Sequence, residues 1–111
     1  MLRLAKERDL LNVINDQIGF PTYTKDLSRL LVDMIGTDKY GIYHATNEGY
    51  CTCYEFDRAI FKIANVDIEV NPINTSEHPT KVVMPMNIKM IKVKLKKLSF
   101  LNYLNFEIVQ Y

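Results

Sequence analysis

The sequence predicts an α/β fold, and three observations carry that expectation. Short apolar, β-branched runs alternate with amphipathic stretches of helical period between residues 10 and 73. Asn, Asp, Gly and Pro fall at the junctions, where turns are needed. A capping signature stands in front of one apolar stripe. The order reads strand, helix, strand, helix, strand.

Residues 2–9 hold good helix formers with no cap before them, and read as the last turns of a helix that begins earlier. Leu11-Asn12-Val13-Ile14 is the first strand. Asn15 to Thr22 carries Asn, Asp, Gly and Pro and is a loop. Thr24 then caps a helix whose Leu27, Leu30, Leu31 and Met34 recur at i, i+3, i+4 and i+7, with Gly36 at its end. Gly41–Thr46 is a second strand, followed by the loop Asn47-Glu48-Gly49. Thr52-Cys53-Tyr54-Glu55 fits a capping box, and Phe56, Ala59, Ile60 and Ile63 form the buried stripe expected behind it. Asp67–Ile73 alternates apolar and polar, with Pro72 suiting a short or edge strand. Beyond Pro79, Lys89–Lys97 fits a strand through Ile91, Val93 and Leu95 as well as a helix through Ile91, Leu95 and Leu98. Ser99–Tyr111 is apolar and Asn-rich without clear period.

With 111 residues the chain is at most one domain or part of a larger one, and 48% hydrophobic with 24% charged residues is a globular composition. The net charge of +1 hides an asymmetry: residues 1–80 balance to −4 and residues 81–111 to +5. A solvated helix face accounts for such a basic stretch more often than nucleic acid does. Cys51 and Cys53 lack a second pair or nearby histidines, so neither a disulfide nor a metal site is expected. No apolar run reaches the ~20 residues of a membrane span, and no signal-peptide pattern opens the chain, so the expected compartment is cytoplasmic.

No self-contained active site emerges. The glycines at 19, 36, 41 and 49 make no G-x-G-x-x-G loop, so no dinucleotide cofactor is expected to bind this chain. No tyrosine has a lysine four residues on; Tyr54 followed by Arg58 comes nearest. The Tyr-x-x-x-Lys pair of reductase proton donors is therefore missing. Ser28, Ser76 and Ser99 sit in no nucleophile elbow. His44, inside a predicted strand, is expected to be packed and hydrogen-bonded, and His78 to face solvent. Only Asn15–Thr22 looks built for binding: amides and a carboxylate directly follow a strand, where α/β folds usually bind ligands. Capping the turn into the next helix explains the same residues equally well.

Residues 12–27, from Asn12-Val13-Ile14-Asn15-Asp16-Gln17 through Gly19, Pro21 and Thr22 to Leu27, resemble the dTDP-4-dehydrorhamnose reductases, which are extended short-chain dehydrogenase/reductases. Gly41–Gly49 followed by Tyr54-Glu55-Phe56 resembles the family's next strand and helix, and Pro79-Thr80 its later Y-P-T segment, with His78 in place of the tyrosine. The resemblance covers residues 1 to about 90 and implies the C-terminal substrate-binding lobe of such an enzyme, without its N-terminal Rossmann core. Residues 91–111 are a divergent basic and apolar tail, with Phe106 near the family's usual tryptophan.

The full-length family reduces dTDP-6-deoxy-L-lyxo-4-hexulose to dTDP-L-rhamnose with NADPH. This resemblance implies a truncated relative, inactive alone, that keeps at most nucleotide-sugar binding. The implied rim is Asp16, Gln17, Gly19, Pro21 and Thr22, with Asn87 behind it. Met84 replaces the family's arginine, which removes a charge-assisted hydrogen bond of about 1.5–3 kcal/mol. The expected partners are a dTDP-sugar and a Rossmann-domain chain docking in trans. A strand meant for a larger sheet also implies self-association. Nucleic acid and membrane are not expected. A small adaptor using the basic tail is the remaining alternative, although lysines 89–97 lack the interleaved aromatics of single-strand binders.

Overall fold

The computed structural model describes residues 1–78 and 80–97, which form two compact units. The first unit comprises Met1–Gly19 and Cys51–Ile88; the second comprises Phe20–Tyr50 and the described residues from Lys89 on.

In the first unit, α1 (Leu2–Ala5) leads into β1 (Leu10–Ile14), which pairs in parallel with β4 (Glu69–Ile73). Parallel neighbours need a long crossover. Here it contains α3 (Cys53–Ile63), which packs on both strands. Strand alternation turns Leu11 and Val13 inward against Phe61, with Leu4, Tyr54, Ile60, Val66 and Val70 around them. On the other face, Asn71 donates to Asn12 across the pair at 3.0 Å. Pro72 sits opposite Val13 and is tolerated because β4 has a single strand partner among the described residues.

The capping box at the start of α3 forms as the sequence predicts: Glu55 N–H donates to Thr52 Oγ1 at 3.2 Å, and Thr52 N–H to Glu55 Oε2 at 2.9 Å. The helix ends in a Schellman motif. Asn65 takes a left-handed φ of 51°, Val66 N–H reaches Phe61 O, and Asn65 N–H reaches Lys62 O. The buried face of α3 differs from the expected stripe. Asp57 and Phe61 are buried, Ala59 and Ile60 half-buried, and Phe56 and Ile63 exposed. The helix is rotated about its axis so that Phe61 fills the core behind β1.

Two short strands complete this unit. β2 (Ile18–Gly19) pairs antiparallel with β3 (Cys51–Thr52), and Ile18 also bridges in parallel to Asn87. After β4 comes one turn of 3-10 helix, Thr75–Glu77.

In the second unit, α2 (Thr24–Ile35) buries Leu30 completely against Leu95 of α4 (Val93–Lys96), with Leu27, Met34, Tyr43 and Ala45 around them. Tyr23, rather than Thr24, is the residue flanking the start of α2, and Gly36 closes the helix. Lys89–Lys97 resolves as loop followed by the single helical turn of α4. Gly41–Thr46 forms no strand. A strand requires a ladder partner, and no described strand pairs with this segment. Pro79, Phe106 and the rest of 98–111 lie outside the described residues.

Candidate functional site

The loop after β1 begins at the carboxyl ends of the two parallel strands, the usual ligand position in open α/β sheets. In the first unit its residues are tied to the turn beyond β4 and to the start of α3. Asn15 N–H donates to Ile73 O at 3.0 Å, and Asn15 Oδ1 accepts from the Thr52 hydroxyl at 2.8 Å. Asp16 receives the Thr75 hydroxyl at 2.6 Å and Thr75 N–H at 2.9 Å and 3.0 Å on its two oxygens. The Thr75 hydroxyl, then its N–H, holds the Asp16 carboxyl below the ordinary carboxylate value, against a smaller opposing effect of desolvation. Gln17 Nε2 donates to Thr75 Oγ1 at 2.9 Å.

Gly19 lies in β2 opposite Cys51. A Cβ added there would meet Ile88 Cδ1 at 3.6 Å, an ordinary contact, so packing within this unit does not demand glycine. Asn87 stands beside Ile18. Ile18 N–H donates to Met86 O at 2.9 Å, and Ile88 N–H to Ile18 O at 3.2 Å. Asp16, Gln17, Gly19 and Asn87 are thus gathered around one short ladder. Met84 is exposed on the segment leading into it.

Pro21 and Thr22 belong to the second unit, where Thr22 donates to Phe20 O at 3.3 Å. Two residues set the course of this stretch. Asn47, fully buried, accepts Tyr23 N–H at 2.7 Å and donates to Asp26 Oδ2 at 3.0 Å. Lys92 is 7% exposed. Its ammonium donates to Thr46 O at 3.2 Å and Asn47 O at 3.0 Å, and pairs with Glu48 Oε1 at 3.1 Å, 5.6 Å from the centre of the Phe20 ring.

Lys94 donates to Ile42 O at 3.1 Å and lies 4.3 Å from the Tyr43 ring centre, while Lys89 lies 4.0 Å from that of Tyr50. Lys92 is thus turned inward and departs from the solvated face expected of the basic stretch, whereas Lys89 and Lys94 are exposed. Lys92 and Lys94 fasten the segment that precedes α3 in the sequence.

His44 is exposed, not packed as a strand position implied, because the strand itself does not form. His78 is exposed as expected. Cys51 is buried, and burial pushes its thiol up; Cys53 is exposed. No group of three or more His, Cys, Asp or Glu able to hold a metal exists among the described residues. No described helix is long and apolar enough to cross a membrane. A hollow beside α3, lined by Tyr54, Arg58, Lys62 and Asp67 among others, contains none of the expected site residues.

Thr75, Asn47 and Lys92 were not singled out by sequence reasoning. Asn74-x-x-Glu77 does mark a helix start, and Glu77 Oε2 accepts Asn74 N–H at 2.7 Å, but that pattern says nothing of Asp16. Asn47 and Lys92 act across the chain with no local signature.

Residues 1–108 match the family model described as RmlD substrate binding domain. Over 110 residues the chain is 42% identical to the dTDP-4-dehydrorhamnose reductase of Aggregatibacter actinomycetemcomitans, covering 87% of this chain and 37% of that protein. Over 85 residues it is 39% identical to the spore coat polysaccharide biosynthesis protein SpsK of Bacillus subtilis, covering 77% and 30%. The solved dTDP-4-dehydrorhamnose reductase of Bacillus anthracis, in complex with NADP, superposes with a TM-score of 0.84 at 37% identity, covering 89% of this chain and 34% of that one. That of Clostridium acetobutylicum also gives 0.84, at 34% identity, covering 88% and 35%. The chain spans about a third of the length of these relatives.

Proposed function

The chain belongs to the RmlD substrate-binding domain family, and from that premise we propose that it binds a nucleotide-sugar of the kind its reductase relatives are named for, a dTDP-6-deoxy-hexose. The observation that carries this reading is the gathering of Asp16, Gln17, Gly19 and Asn87 around the short ladder of Ile18, in the loop that leaves the carboxyl end of β1.

The residues present do not fit the NADP that accompanies one solved relative. A pyrophosphate is held by glycine-rich backbone N–H groups at a helix start. The turn after β1 instead carries the Asp16 carboxylate, whose low pKa keeps it anionic. In this reading the chain contributes recognition of the sugar nucleotide, and a reduction would draw cofactor and proton donor from a Rossmann-bearing partner.

Titration of the purified chain with dTDP-L-rhamnose, monitored by amide proton–nitrogen NMR, tests the proposal. Shifts confined to Asn15–Gly19 and the neighbourhood of Asn87 are expected. A spectrum that ignores millimolar ligand refutes it.

A second reading, docking on that Rossmann-bearing partner, is favoured by the second unit. Leu31, Val32 and Ile35 line one exposed side of α2, and Tyr40 and Ile42 are 85% and 84% exposed. Co-purification with a separately expressed Rossmann half from a reductase relative tests it, and failure to associate at micromolar concentration argues against it.

A further inference from the structure

Thr75 Oγ1 lies within bonding distance of three groups: Asp16 Oδ1 at 2.6 Å, Gln17 Nε2 at 2.9 Å and Met86 Sδ at 3.9 Å. A hydroxyl owns one proton. The carboxylate is close, charged and able only to accept, whereas a thioether at 3.9 Å is a weak, distant acceptor. The proton therefore lies on the line to Asp16. The oxygen is left with lone pairs to offer Gln17, and only the –NH2 end of the amide can meet them. Turned by half a rotation, the amide would set its own oxygen against the hydroxyl oxygen. The bonds run in one direction, from Gln17 through Thr75 to Asp16.

We propose that Thr75 is a positioning residue that fixes the polarity of the Gln17 amide, so that Gln17 Oε1 is the group this loop offers to a ligand. No described residue bonds that oxygen. A fixed acceptor selects a ligand with a hydrogen-bond donor and discriminates against one without it, because the acceptor would then be covered and unpaired. Fixing it in advance also removes an ordering cost from binding. The inference rests on the reading of this loop as a nucleotide-sugar site. Two parts of such a ligand supply the donor: the imide N–H of a thymine base and the hydroxyls of the sugar.

The test uses the 111-residue chain and its variants Thr75→Val, Thr75→Ser, Asp16→Asn and Gln17→Met. The first readout needs no ligand. In the wild type and in T75S, the two Gln17 side-chain amide protons are expected at well-separated shifts, one of them protected from exchange. In T75V they move to the positions of a solvated glutamine. Coincident Gln17 signals in wild type and T75V overturn the role of Thr75.

The second readout is calorimetric titration with dTDP and with dTDP-L-rhamnose. Losing one neutral hydrogen bond's worth of positioning predicts binding weaker by about three- to tenfold in T75V. T75S should restore it to within about twofold of wild type, and Q17M should be at least as weak as T75V. An effect seen already with dTDP places the donor on the nucleoside, in its imide N–H or 3′-hydroxyl; one seen only with dTDP-L-rhamnose places it on the hexose. Equal affinity in wild type, T75V and Q17M overturns the selecting role of Oε1. Should T75V fail to fold, D16N takes its place, since an amide at position 16 no longer fixes the direction of the hydroxyl. A wild-type chain that binds neither ligand sinks the reading of the loop as a site and the selecting role with it. The Gln17 amide spectrum then decides the Thr75 arrangement by itself.

Discussion

Replacing Lys92 by methionine keeps an unbranched apolar stem of similar reach and deletes the ammonium. In the structure that ammonium meets two carbonyl oxygens and a carboxylate at 3.0–3.2 Å, and its side chain is 5% exposed. Glu48 is 37% exposed on its side and can turn to water, so its loss counts for little. The carbonyls of Thr46 and Asn47 belong to buried residues and lose their partner without replacement. One charge-assisted bond to such a group contributes about 1.5–3 kcal/mol, and breaking a buried ionic cluster costs about 3–5 kcal/mol. Discounted for Glu48, the expected loss is about 2–4 kcal/mol, a large share of the ~5–15 kcal/mol that stabilises a domain. Urea unfolding monitored by circular dichroism reads it directly. With a slope of about 1–1.5 kcal/mol per molar, the midpoint should fall by roughly 2 M. Lys94→Met is the control, since Lys94 is an exposed residue bonded to a single carbonyl; it should cost no more than about 1 kcal/mol. If K92M and K94M shift the midpoint equally, Lys92 is not an internal fastener.

Four further outcomes are expected from the same geometry. Asn65→Ala should lower stability by about 1 kcal/mol and Asn65→Gly should leave it unchanged or raise it, because φ is 51° there; thermal unfolding separates the two. Asp16 has a lowered folded-state pKa, so its contribution to stability is present above the unfolded carboxylate value and is lost as pH falls through the folded one; Asp16→Asn should flatten the acid limb of stability against pH. Asp57 is shifted the other way, with burial as the larger cause, so it favours folding less as pH rises; Asp57→Asn should raise stability at neutral pH, and a loss there would refute the assignment. The exposed Val32 and Ile35 should drive self-association of the chain; light scattering should show larger species that Val32→Lys with Ile35→Lys reduces, and a monodisperse monomer before mutation would contradict this.

What the sequence revealed of the fold was its local part. The capping box of α3 and, to within a residue, the extent of α2 depend on near neighbours and are where periodicity and cap chemistry put them. β1 and the strand containing Pro72 were legible by composition, and each supplies the other's ladder partner. Errors arose where a distant partner decides. Gly41–Thr46 has strand composition, but composition supplies no ladder. On α3, Phe56 and Ile63 are as apolar as Phe61, and only the position of β1 determines which side turns inward. The same division holds at the candidate site. The loop after β1 was legible as polar and turn-rich, whereas Thr75 lies 58 and 59 residues from the side chains it engages, and Lys92 lies 45 and 46 from its carbonyls.

That separation changes how polar residues in such a loop are to be weighed. A loop cannot satisfy its backbone by repetition as a helix or sheet does, so side chains from elsewhere must do it. Lys92 does this for the carbonyls of Thr46 and Asn47, Asn47 for the entry to α2, and Asp16 for the start of the 3-10 turn. Asp16 is the most ligand-like residue by type, yet both its oxygens are engaged by Thr75. A ligand donor competing for it would have to displace a charge-assisted hydroxyl bond and a backbone N–H together. Gln17 asks for no such displacement, because its nitrogen is engaged while no described residue bonds its oxygen. Within this loop, Asp16→Asn should therefore act on ligand affinity through Gln17, and the Q17M and D16N effects should be far from additive when combined.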